Sequence, residues 1–390
     1  DGRPVIGVIN YSPRHIARTS QAVRVAAHEI AHTLGFNVDI VKDTFLFSLA
    51  AYEARGKRIY ASYGKYTRKW GSYHYQCKDF NGMEMEDTTA WADSGQSVNE
   101  LQTDVMNSRS AVALRGDDSW KAANLLNLDP KDGRFSTKFG VSSHWKRRNA
   151  KDELMAGLVG AGHYTGLTLA AFADLGYYQV VWTKAEPMSW GNNSGCEFLK
   201  DKKCVENGKS KYPSMFCDKT EEPKLRCTSD RQALGTCAIQ NHNKLPEMYR
   251  YFEKTDGDIQ RGGRREDMMD YCPIIVADKG YSCIDGTESN MPGSLVGTNS
   301  RCVHGNGLTV KGEPIGDVCV RVACYKGSVY VQYAGAPTYY LCPEGKSLKV
   351  QGDFDGNGNI ACPRYEDVCT TMLPEAEISA PSDAPSLSQF

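Results

Sequence analysis

Residues 27–35 read Ala27-His28-Glu29-Ile30-Ala31-His32-Thr33-Leu34-Gly35, an H-E-x-x-H pentapeptide closed by a glycine. On a helix, residues four apart point the same way and stand about 6 Å apart along the axis. Imidazoles at His28 and His32 can therefore reach one metal ion, zinc being the usual occupant, and Glu29 beside them can reach a water at that ion. The flanking sequence supplies the helix. Thr19 or Ser20 can cap it, and Val23, Ala27, Ile30 and Leu34 recur at helical spacing. Gly35 stands where a left-handed residue commonly ends a helix. A chance match in a chain this long is on the order of one in a hundred. Placement in the last turns of a capped amphipathic helix makes coincidence a poor account.

A catalytic zinc needs a third protein ligand and one open position. The compact metzincin motif places a third histidine three residues after the glycine, and Val38 occupies that place. Two candidates remain. Glu53 falls on a second helix expected over Asp43–Arg55, where a thermolysin-like site carries a glutamate. His144 lies far downstream and is followed by Asn149-Ala150-Lys151-Asp152-Glu153-Leu154-Met155. That context favours His144, with Met155 eleven residues on, and Gly35 belongs to the metzincin pattern. Met155 is not read as a ligand.

The chain has 390 residues, enough for two or three domains. Its 46 basic and 47 acidic residues nearly cancel, which argues against nucleic-acid binding through bulk positive charge. Mean hydropathy is −0.49. No apolar run approaches the ~20 residues of a membrane helix; Asp174 and Gln179 interrupt the longest, Leu167 to Trp182. The sequence opens on Asp1 without a signal-peptide pattern, so a processed or truncated N-terminus is expected. Of 14 cysteines only Cys77 lies in the first half. The rest fall between 196 and 369 and are odd in number, so complete pairing requires a bridge from Cys77 into that stretch. Such density reads as secreted or cell-surface, and irregular spacing without CxxC pairs argues against zinc knuckles.

Val5–Asn10 reads as a short buried strand, and Thr165–Leu175 as an apolar helix closed by Gly176. Residues 88–140 are polar and read as a long surface insertion. The texture changes near 190 to short strands, Gly/Pro turns and cysteines. The expected organisation is a catalytic domain over 1–190, a cysteine-rich domain over 191–370 and a flexible Pro/Ser-rich tail over 371–390.

The stretches GRPVIGVIN, HEIAHTLGF, KRRNAKDELM, YTGLTLAAFADLGYYQ, MSWGNNSGCEFL, PSMFC, MMDYCPIIV and CPRYEDVC resemble the leishmanolysin family of surface metallopeptidases, over most of the chain. The resemblance implies an α+β fold: a metzincin-like zinc peptidase catalytic domain, here lacking its N-terminal part, followed by a disulfide-rich, mainly β C-terminal region. Carried over by motif, it implies His28, His32 and His144 as zinc ligands, Glu29 as the catalytic base and Met155 as the Met-turn residue. The implied function is a zinc metalloendopeptidase with one Zn2+ per chain, acting on proteins or peptides at the cell surface or outside the cell. A role in adhesion to host surface or matrix proteins is also implied. The alternative is an inactive adhesion or ligand-binding protein on the same scaffold. The sequence ends without an apolar tail, so membrane attachment is expected only through an anchor outside this sequence.

Other residues invite plainer readings. His74 sits in an aromatic, strand-like run, and His163 reads as a surface histidine or, less simply, a wall of the site. His15, His242 and His304 fall in polar loops. Lys146, Arg147, Arg148 and Lys151 read as a solvated basic loop. Asp353–Asn359 resembles the start of a calcium loop, but Arg364 replaces the required glutamate, so a Gly/Asn hairpin turn is expected. Asn10 and Asn192 head glycosylation sequons, Asn192 the better acceptor.

Overall fold

A computed structural model of the chain describes residues 3–9, 20–37, 49–54, 57–87, 141–158, 160–201, 203–219, 224–243, 245–253, 259–356 and 358–371. The expectations for His15, Asn10, the 88–140 stretch and most of the tail fall outside these residues. The described residues form two compact units, one up to 218 together with 239–273, the other covering 219–238 and 274 onward. Among the described residues no helix is long and apolar enough to cross a membrane.

Helix α1 (Ser20–Thr33) carries the histidine pair and buries Val25, His28 and Ala31. It ends at Gly35 as anticipated. With φ at +110°, Gly35 takes a conformation that a side chain would resist. The turn lets Phe36 N–H return to Ala31 O at 3.0 Å and buries the Phe36 ring.

The helix expected over 43–55 is corrected where it is described. Leu49–Ala54 is strand β1, paired antiparallel with β2 (Lys57–Ser62) from Leu49↔Ser62 to Ala54↔Lys57. Three alanines favour a helix in isolation, but β2 offers a row of backbone partners and buries Ile59 and Ala61. Pairing and burial override the local preference. The strand expected at Val5–Asn10 is also corrected: residues 5–9 are irregular, and Val5, Ile6 and Val8 are exposed. An apolar run becomes a strand only where its N–H and C=O groups meet a neighbour, and among the described residues none pairs with it.

The run around His74 is helical, not extended. Helix α2 (Lys65–Tyr75) buries Thr67, Gly71 and Tyr75, a four-residue spacing that marks one helical face. Asp174 satisfies its first turn, accepting from Tyr66 N–H and Thr67 N–H at 2.8 Å each. Just beyond α2, Cys77 bonds Cys196 across a sequence separation of 119. This is the crossing bridge that cysteine parity required, and closing so long a loop is worth about 4–5 kcal/mol in the chain-entropy picture.

Strands β3 (Met83–Asp87) and β4 (Val141–Trp145) complete a sheet ordered β1-β2-β3-β4. Asp87 and Val141 are register partners although 88–140 lies between them in sequence. Helix α3 (Gly166–Asp174) follows; Thr165 caps it by accepting from Leu167 N–H, and Gly176 closes it with φ +75°.

The regular structure of the second unit is mostly strands. Its main sheet orders β5 (Ser300–Val303), β6 (Val318–Tyr325), β7 (Ser328–Gln332) and β8 (Tyr340–Leu341). Strand β6 is buried on both faces. Val318, Val320 and Val322 enter a valine-rich core, while Cys319, one residue out of phase, joins the cystine cluster of Cys227, Cys283 and Cys302. Lys326 and Gly327, both at positive φ, make the two-residue turn from β6 to β7. Four disulfides (Cys227–Cys302, Cys283–Cys319, Cys324–Cys369 and Cys342–Cys362) lie within this unit.

Candidate metal centre

His28 and His32 sit one turn apart on α1, and His144 comes from β4. Their Nε2 atoms converge: 3.0 Å between His28 and His32, 3.2 Å between His28 and His144, 3.3 Å between His32 and His144. Three nitrogens about 2.0–2.1 Å from one tetrahedral zinc stand about 3.3 Å from one another, so the donor set fits that ion. The far ring nitrogens fix the orientation. His28 Nδ1 lies 2.6 Å from Leu154 O and His32 Nδ1 2.8 Å from Phe36 O. A carbonyl only accepts, so each Nδ1 carries its hydrogen and each Nε2 presents a lone pair inward. Burial lowers the His32 pKa to about 4 and holds His144 well below the usual histidine range. These two rings are neutral at pH 7, the form that binds a metal.

Main-chain geometry places the two carbonyls. Gly35 turns the chain so that Phe36 O returns beneath His32. Leu154 N–H donates to His163 O at 2.8 Å, which aims the opposite carbonyl at His28. The next residue, Met155, is fully buried, and its carbonyl accepts from Trp145 N–H at 2.8 Å. The Met155 turn thus touches the strand of His144 and, one residue earlier, the ring of His28. Glu29 is half-buried and follows His28 on α1. Arg24, one turn before His28, anchors the helix through a paired contact with Glu186 and a bond to Gly162 O.

The basic run after His144 is not a solvated loop. Lys146, Arg147, Arg148 and Lys151 are all buried. Lys146 Nζ lies 2.8 Å from Glu86 Oε1 and 2.7 Å from Asp270 Oδ1. Arg147 donates to Asp267 O, and the Arg148 guanidinium lies 4.1 Å from the Phe198 ring centre and 5.1 Å from that of Phe216. Buried acceptors and aromatic faces, distant in sequence, replace the water such a cluster ordinarily needs.

Glu153 supports the turn from below. It is fully buried and accepts from Met155 N–H, Thr165 N–H and Thr165 Oγ1. Burial pushes its carboxyl up to about 7, against hydrogen bonds from Thr168, Met155 and Thr165 that pull it down. The unfolded carboxyl titrates near 4.3. Between these values the folded chain keeps a proton that the unfolded chain releases, so stability falls as pH rises through this window. Relative to a Glu153→Gln variant, the parent should lose up to about 3 kcal/mol between about pH 4.5 and 7. Denaturant midpoints of both proteins across that range read the difference; parallel curves would refute it.

His163 is buried, not a surface residue, and its backbone holds the Met155 turn through Asp152 and Leu154. His74 Nε2 donates to Trp190 O at 2.9 Å, because a carbonyl only accepts. Glu53 lies on β1, and the three histidines form one of two groups among the described residues that could hold a metal. The other such group, Cys227, His304 and Asp317, offers no thiolate because Cys227 is bridged to Cys302. What sequence reading missed are the carbonyls of Phe36 and Leu154 and the buried carboxylates Glu86 and Glu153. Main-chain acceptors leave no signature in side-chain identity.

With this geometry in hand, comparison with known proteins is informative. The leishmanolysin (peptidase M8) family profile matches residues 1–116 and 97–375. The chain belongs to the leishmanolysin family. It is 32% identical over 387 residues to leishmanolysin of Leishmania major, covering 95% of this chain and 55% of that protein. It is 32% identical over 390 residues to the leishmanolysin homolog of Crithidia fasciculata, covering 95% and 51%. A leishmanolysin-like peptidase of Caenorhabditis elegans is 27% identical over 436 residues, covering 95% and 62%. The chain thus spans about half the length of the leishmanolysins it matches. Family membership makes metallopeptidase chemistry the frame for the three histidines.

Proposed function

We propose that the chain is a zinc metalloendopeptidase of the leishmanolysin type with a metzincin-like site, in which His28, His32 and His144 hold one Zn2+, Glu29 is the general base and Met155 floors the site. The observation that carries this reading is the convergence of three Nε2 atoms at 3.0–3.3 Å, two of them with Nδ1 tied to carbonyls. When bound, the ion supplies Lewis acidity, lowering the pKa of a water to roughly 7 and polarising the scissile carbonyl. Glu29 takes the proton from the attacking water and passes it to the leaving nitrogen. His28 and His32 keep their tautomers through Leu154 O and Phe36 O, so neither ring turns to compete for that proton.

Protein or peptide substrates follow from this chemistry. The disulfide-rich chain suits an oxidising location, outside the cell or at its surface, where Asn192, exposed in a turn, can carry glycan. The family resemblance adds adhesion to host surface or matrix proteins as a further role. The competing reading, an inactive adhesion protein, requires neither convergent histidines nor a glutamate beside them.

Glu29→Ala should retain zinc and lose casein cleavage by about a hundredfold or more, the usual contribution of a positioned base, and chelation should stop the parent. Zinc-replete parent with no chelator-sensitive cleavage would overturn the proposal, as would a Glu29→Ala protein that cleaves normally.

A further inference from the structure

We propose that helix α2, with the tryptophan beside it, is a docking face for an anionic lipid bilayer. Three buried residues, Thr67, Gly71 and Tyr75, fix the inner side of α2. At helical spacing this puts Lys65, Lys69 and Tyr73 on the outer side and Tyr66 and Trp70 on its flank. Tyr73 is 69% exposed and Tyr66 40% exposed. Trp182 stacks on Trp70 with ring centres 5.5 Å apart and planes 17° apart, and lies 5.8 Å from Tyr66. Its neighbour Val181 is 60% exposed, and Lys184 ends the same short turn.

The charge is of one sign. Helix α2 contains no Asp or Glu, and among the described residues no carboxylate pairs with Lys65, Lys69 or Lys184. The buried Asp174 is committed to the N–H groups of Tyr66 and Thr67 in the first turn of the helix. The platform is also rigid, because Trp70 seats so closely on Gly166 that a Cβ there would come within 2.4 Å.

Tyrosine and tryptophan settle at the boundary between headgroups and acyl chains, with polar tips outward and apolar bodies inward. Lysine stems lie along that boundary while their ammonium groups meet lipid phosphate and carboxylate. A bilayer uses all these features together. A sulfated polysaccharide would use the lysines but leave Val181 and the tyrosine faces without a partner, so the lipid surface is the better match.

The test is pelleting of the full chain with phosphatidylcholine vesicles, with and without phosphatidylserine. The parent should bind only where phosphatidylserine is present, and its tryptophan emission should shift to the blue. Lys65→Gln with Lys69→Gln should weaken binding about thirtyfold, about fivefold for each lysine lost; the two Lys→Arg changes should preserve it. Val181→Asp should also weaken binding. Cleavage of soluble casein should be unaffected in every variant, which separates this proposal from the peptidase reading. Failure of the parent to bind phosphatidylserine vesicles would overturn the proposal. So would unchanged binding of Val181→Asp, or retention on heparin without vesicle binding.

Discussion

His144→Ala should abolish stoichiometric zinc binding, whereas Glu53→Ala should leave it intact. The two histidines of α1 present Nε2 atoms 3.0 Å apart, and His144 closes the triangle at 3.2 and 3.3 Å. Without that third nitrogen, two imidazoles from a single helix cannot define a tetrahedral site. Affinity should fall by more than the roughly 10–100-fold that accompanies loss of a merely supporting residue. Glu53 stands on β1 opposite Arg58 in the hairpin register, not on the helix that a thermolysin-like arrangement requires. Zinc content of both variants, measured at equal folded fraction, reads the outcome. Full zinc in His144→Ala would overturn the ligand set and leave only the α1 pair standing. His144→Ala removes a buried ring, so near-ultraviolet circular dichroism must first show native packing.

The parts of this site that could be read from sequence are those in which one short segment specifies the geometry. His28, His32 and Gly35 are such a set, because helical spacing aligns the rings and a left-handed residue ends the helix. The crossing bridge was legible for another reason: an odd number of cysteines after residue 190 demanded a partner from before it. Where the answer depends on distant chain, composition misled. Leu49–Ala54 is alanine-rich and reads as helix, yet β2 makes it a strand. The aromatic run around His74 reads as strand, yet buried Gly71 and Tyr75 make it a helix face. Lys146 to Lys151 reads as solvated because the buried partners of Lys146, Glu86 and Asp270, lie far along the chain.

That last network carries a large stability effect of its own. Lys146→Met should destabilise the fold by about 3–5 kcal/mol at neutral pH, the cost of leaving a buried charge without its partner. One ammonium serves two buried carboxylates, Glu86 at 2.8 Å and Asp270 at 2.7 Å. Lys146 N–H also donates to Glu84 O at 2.8 Å, and Arg147 N–H to Glu86 Oε2 at 2.8 Å. These contacts clamp the residues following His144 onto β3. Burial already raises the Glu86 carboxyl above its ordinary range, with Lys146 the foremost opposing influence and Asp270 acting in the same direction as burial. Removing the ammonium leaves burial and Asp270 unopposed by it, so the folded-state pKa of Glu86 rises further above its unfolded value. A raised carboxyl pKa gives stability that is present at low pH and lost as pH rises. The deficit of Lys146→Met should therefore be smallest in acid and grow toward neutrality, whereas a simple packing defect would cost the same at each pH. Urea midpoints of parent and variant, with disulfides intact, distinguish the two. A deficit that does not change with pH would mean that the cost is packing and that the ion pair contributes little.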